Sequence, residues 1–168
     1  LARRYPRAEI HALDISADQL ARARKLCAIH RHVTFHRQDF CSDEPFRNAD
    51  YETAVAVEVF LHQPPEAVLG VLQRLRDVAR FIVHIDWSED WRWATPEHAW
   101  VHDYRKLHEQ AGLRCAAFTL PEKVDGLQQQ LFIAGRELAP ALLELERTSR
   151  EEDWRTMLSP NVLPAAAS

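Results

Sequence analysis

The chain has 168 residues, 46% of them hydrophobic and 27% charged, which suits one domain with a real core. Its formal net charge of −4 supplies no basic field for nucleic acid, although Arg-rich pieces such as "ARARK" and "RLR" occur locally. No run approaches the roughly 18 apolar residues of a membrane span, and "LARRYPRAEI" lacks the apolar core of a signal peptide, so a cytoplasmic protein without membrane or nucleic-acid partners is expected.

"AEIHALDI" (8–15) carries Ile10, Ala12, Leu13 and Ile15 without helical periodicity and reads as a strand buried on both faces, ending at Asp14. Ser16 then caps a helix over 17–30, where Leu20, Ala23, Leu26 and Cys27 recur at helical spacing. "HVTFHRQDF" (32–40) is a second short strand and again ends in an acid, Asp39, with Phe40 beside it. After a turn-rich stretch, "ETAVAVEVFLH" (52–62) supplies a third strand, and Pro64 and Pro65 open a helix whose Val68, Leu69, Leu72, Leu75 and Val78 share one side.

"RFIVHIDW" (80–87) is the fourth strand, followed by an aromatic-rich loop and the helix "DYRKLHEQAG", which Gly112 ends at a C-cap position. "LRCAAFTLPEK" and "QQQLFIAGREL" finish the sheet as an antiparallel pair, because the link between them is short. The tail past Leu138 is helical, then loose, with "LPAAAS" expected to be disordered. Cys27, Cys41 and Cys115 are odd in number, widely spaced and without a CxxC, and read as reduced thiols. His98 and His102 stand four apart without an acidic zinc motif, so no metal site is assigned.

Strands alternating with helices imply a doubly wound α/β sheet, mostly parallel with an antiparallel terminal pair, that binds ligands at the carboxyl ends of its strands. The ordered set of "ALDIS", "RQDF", "VAVEVFLHQPPE" and two closing strands resembles class I S-adenosylmethionine-dependent methyltransferases. The resemblance implies a Rossmann-like methyltransferase domain over 1–138, with 139–168 as a C-terminal helix and tail. In that family the first acid takes the two ribose hydroxyls, which implies Asp14, with Ile15 beside the adenine. The second recognises the adenine amino group, which implies Asp39, with Phe40 as an apolar contact. Glu58 to His62 would then run near the methionine part of the cofactor and the acceptor.

The family's glycine-rich turn has no counterpart among Gly70, Gly112, Gly126 and Gly135. The first strand of the sheet is therefore expected to be missing from a chain that is cut or incomplete at its N-terminus, leaving unpaired edges and an exposed apolar slot. Methyl transfer from a sulfonium needs alignment and exclusion of water, with a base where the acceptor must lose a proton. The catalytic candidates are His62 and Glu58, with His84 and Asp86 as further bases, and Trp87, Trp91, Trp100 and Tyr104 are expected to line the pocket of a small-molecule acceptor. Two other classes fit parts of the pattern. A nicotinamide-dependent oxidoreductase also places an acid on a ribose, but lacks a counterpart to "QDF". A pseudo-methyltransferase would use its charged tail as an interaction surface.

Overall fold

A computed structural model of the protein describes residues 1–42, 50–87, 99–124 and 127–149. The chain divides into two compact units, residues 1–47 and 48–168. No helix among the described residues is long and apolar enough to cross a membrane.

The first unit is a strand, helix and strand: β1 (Ile10–Asp14), α1 (Ala17–Leu26) and β2 (Val33–Arg37). β1 and β2 pair in parallel, from Ile10 opposite Val33 to Asp14 opposite Arg37. Ser16 caps α1 by accepting from the Gln19 amide at 3.3 Å, and Asp18 and Arg24 with Lys25 complement the helix dipole at its two ends. Leu20 is the buried anchor of the helix. α1 stops four residues before the expected 30. Cys27 still bonds back to Ala23, but Leu26 and Ile29 are exposed, so a further turn would bury no apolar surface. β1 is half-buried along its length rather than buried on both faces, and Ile15 just beyond it is 65% exposed.

The second unit begins with β3 (Tyr51–Val57), a 3-10 turn (Phe60–His62), α2 (Pro65–Val78) and β4 (Ala79–Trp87). It continues with α3 (Tyr104–Gln110), β5 (Arg114–Val124), β6 (Leu127–Gly135) and α4 (Pro140–Ser149). Its sheet has the order β3-β4-β6-β5, with β3 and β4 parallel and both other pairings antiparallel. The terminal antiparallel pair is present, and the sheet of this unit is mixed. The expected third strand also ends early. Its chain turns at Glu58, which takes a φ of 53°, and winds into the 3-10 turn that buries Phe60 and Leu61.

Strand alternation sends Ile82, His84 and Asp86 of β4 to one face, where their side chains are buried. α2 packs on β4 and α3 through Val68, Val71, Leu72 and Leu75, and Pro65 at its first turn forfeits only an amide that has no helical partner. On the opposite face Leu142, Leu143 and Leu145 of α4 pack with Ala116, Phe118, Leu131 and Ile133. Gly112 ends α3 at φ +74°, as expected, with Leu113 bonding back to His108. The outer edge of β3 pairs with no strand among the described residues, and Val55 and Val57 on it are 48% and 54% exposed. The "LPAAAS" tail lies outside the described residues.

Candidate functional site

In the first unit, parallel pairing brings the two expected acids to the same end of the β1–β2 ribbon. Asp14 closes β1, its Oδ1 accepting from the Ser16 amide at 2.7 Å. Asp39 lies two residues past β2, its Oδ1 accepting from the Cys41 amide at 2.8 Å. Each is an Asx turn that fixes the side chain on its own backbone and leaves Oδ2 without a hydrogen bond among the described residues. Two fixed carboxylates with one open oxygen each form a site for hydroxyl or amino donors. Ile15 is exposed and Phe40 half-buried at the same end.

In the second unit, Glu58 sits at the carboxyl end of β3. Its amide donates to the Ile85 carbonyl at 2.8 Å, so the β3–β4 ladder continues to the residue where the backbone turns left-handed. Its Oε1 accepts from Trp87 Nε1 at 3.0 Å and from Gln129 Nε2 at 2.5 Å. Gln129 went unnoticed in sequence. The signal was the polar run "QQQ" opening an otherwise apolar strand, which puts Gln129 opposite Trp87 across the β4–β6 ladder. His62 ends the 3-10 turn and is exposed. Trp100 is 40% exposed, and its amide donates to the Leu61 carbonyl at 2.7 Å. Trp91 and His98 lie outside the described residues.

Tyr104 is only 4% exposed, packed against His84, His102 and Phe132. It belongs to a buried polar cluster on the helix-covered face of β4. His84 Nδ1 and Asp86 Oδ2 are 2.8 Å apart, and His84 stacks on both His108 and Phe132. His102 Nε2 donates to the Phe60 carbonyl at 3.1 Å, and His108 Nδ1 to the Tyr104 carbonyl at 2.7 Å. The remaining polar atoms, His84 Nε2, Asp86 Oδ1, His102 Nδ1, Tyr104 Oη and His108 Nε2, meet no partner in hydrogen-bond geometry among the described residues.

Burial dominates the protonation of this cluster. It pushes His84 and His108 down to about 3, reinforced by His102 and by His84 respectively, and it also lowers His102. Burial raises Asp86 to about 7, against the opposing pull of the Leu61 amide, the Tyr104 hydroxyl and His102 and with a further push from Glu58. At neutral pH the three histidines are neutral. His84 and Asp86 are both fully buried, so neither meets an acceptor directly, and among the described residues no cluster of three or more His, Cys, Asp or Glu forms a metal-holding group.

Residues 1–80 match the sequence family described as "Methyltransferase domain". Among curated protein sequences none matches the chain. Solved structures do. Magnesium protoporphyrin IX methyltransferase from Synechocystis PCC 6803 with bound SAH superposes at a TM-score of 0.58 with 20% identity, covering 77% of this chain and 64% of that one. The chain has the fold of the class I S-adenosylmethionine-dependent methyltransferases. The methyltransferase domain of bacterial CtHen1 gives a TM-score of 0.60 at 15% identity, covering 77% of this chain and 78% of that one. An O-methyltransferase family protein from Burkholderia thailandensis gives 0.62 at 14% identity over 81% of this chain and 46% of that one. The chain thus spans less than two thirds of the Synechocystis methyltransferase.

Proposed function

We propose that the protein is an S-adenosylmethionine-dependent methyltransferase acting in the cytoplasm on a small-molecule acceptor. The observation that carries the reading is the pair of Asx-turn acids, Asp14 and Asp39, fixed at one end of parallel strands with an open oxygen each. Asp14 takes the ribose hydroxyls and Asp39 the adenine amino group, with Ile15 and Phe40 as apolar contacts to the base. This donor demand fits a nucleoside, because carboxylates accept hydrogen bonds and offer nothing to a phosphate. The methyltransferase domain runs over 1–138, as part of a doubly wound sheet.

When bound, the cofactor supplies a methyl group on a sulfonium, displaced directly with the electron pair returning to a neutral thioether. The chain's own residues align the partners and exclude water. Glu58, just past β3, is assigned to the methionine part of the cofactor, and Glu58 with exposed His62 to orienting the acceptor and taking its proton where one must leave. Trp100, 40% exposed, is the described aromatic residue assigned to the acceptor region.

Calorimetric titration of S-adenosylhomocysteine into the full chain and into Asp14→Ala tests this. Binding that weakens by about tenfold or more in the variant, the cost of a lost charge-assisted bidentate contact, supports the assignment. Equal binding by both would remove Asp14 from the site.

A further inference from the structure

Three side chains from three strand ends meet at one carboxylate oxygen. Glu58 Oε1 receives Trp87 Nε1 at 3.0 Å and Gln129 Nε2 at 2.5 Å, while Oε2 accepts no hydrogen bond among the described residues. Two donors on one oxygen exhaust its lone pairs and stop the carboxylate from rotating by half a turn, so that its two oxygens cease to be equivalent. The backbone adds to the constraint, since Glu58 is the only non-glycine with positive φ among the described residues. A side chain held this tightly at a strained strand end is one whose direction matters. Gln129 is buried and its side-chain amide makes no other hydrogen bond among the described residues, and a buried glutamine costs stability relative to an apolar residue unless its polar atoms are served.

We infer that Trp87 and Gln129 are positioning residues that lock Glu58, so that Oε2 alone meets the N–H or O–H donor of the bound ligand. The inference rests on the reading of Glu58 as a ligand-facing group. Gln129 fixes the carboxylate from the antiparallel strand behind it and Trp87 from the adjacent strand. Truncating either one frees the side chain to rotate, and the ligand must then pay for its ordering on binding. Neither residue touches the ligand to produce this effect.

The test is a double-mutant cycle read by calorimetry with S-adenosylhomocysteine on the full chain, using Gln129→Met and Trp87→Phe, each alone and combined with Glu58→Gln. Positioning predicts that each single change weakens binding about fivefold to tenfold when Glu58 is intact and less than about twofold in the Glu58→Gln background. Equal losses in both backgrounds would show a general packing effect and overturn the inference. The exchange rate of the Trp87 indole N–H, followed by NMR, separates the two ideas. If the wild-type chain takes no S-adenosylhomocysteine, the ligand reading fails. The lock is then judged alone, by whether indole exchange accelerates about tenfold or more in Glu58→Leu, and an unchanged rate would overturn it.

Discussion

Glu58 stands at φ 53°, a conformation that costs a side chain about 1 kcal/mol and costs glycine nothing. Replacing it by Ala or by Gly removes the same carboxylate and abandons the same two donors. The usual order of the pair therefore inverts here, and Glu58→Gly is expected to be more stable than Glu58→Ala by about 1 kcal/mol in urea unfolding. The reverse order would mean that the backbone relaxes away from the left-handed region. Residue-scale roles divide sharply in how far they were legible. Asp14 follows an apolar strand and Asp39 a short alternating one, and each opens a turn, so their places at two strand ends could be read in advance. Gln129 is harder, because "QQQ" marks a polar start to an apolar strand without saying which of the three will lie beside a glutamate seventy-one positions away.

At the scale of elements, helix periodicity served best where one face is buried against a sheet. α2 follows its apolar stripe, and Leu72 at its centre has no exposed surface. Leu72→Ala should cost about 2–5 kcal/mol, whereas Ser16→Ala, which removes a cap from the exposed start of α1, should cost about 1 kcal/mol. Chemical denaturation of the two variants checks the ranking. The ends of elements were harder to read. The apolar residues of "EVFLH" look the same in a strand and in a 3-10 turn, and burial of Phe60 and Leu61 after a left-handed residue decided between them. The stripe of α1 continued on paper through Leu26 and Ile29, but those side chains find nothing to pack on. Burial, not pattern, ended the helix.

The whole molecule carries one prediction that no single element does. His84 and His108 stay neutral in the folded state down to about pH 3 but take up protons near 6.5 when unfolded, so their contribution is present above that value and is lost as pH falls. Asp86 has the opposite sign. It holds its proton up to about pH 7 when folded and releases it near 3.8 when unfolded, so its contribution is present at low pH and is lost as pH rises. Between about pH 4.5 and 6, two histidines oppose one carboxyl, and the lowered His102 adds to the histidine side. Unfolding there takes up at least about one proton net, a fall in stability of about 1.4 kcal/mol for each unit of acidification. Stability should peak near pH 7, and His108→Leu should flatten the acid limb. A flat profile from pH 4.5 to 6.5 would contradict the buried cluster.

The same cluster shows why the alternation of strands and helices gave the fold class and not the interior. Histidines at 84, 102 and 108 look like surface residues or metal ligands in sequence, and only the packing of α3 on β4 turns them inward. The central claim, that the two Asx-turn acids read the nucleoside of S-adenosylmethionine, is tested most directly by titrating S-adenosylhomocysteine and, separately, NAD+ into the full chain. Saturable binding of S-adenosylhomocysteine at one site, with no heat from NAD+, is the expected result. Binding of NAD+ without S-adenosylhomocysteine would contradict the account and reassign the same acids to an oxidoreductase.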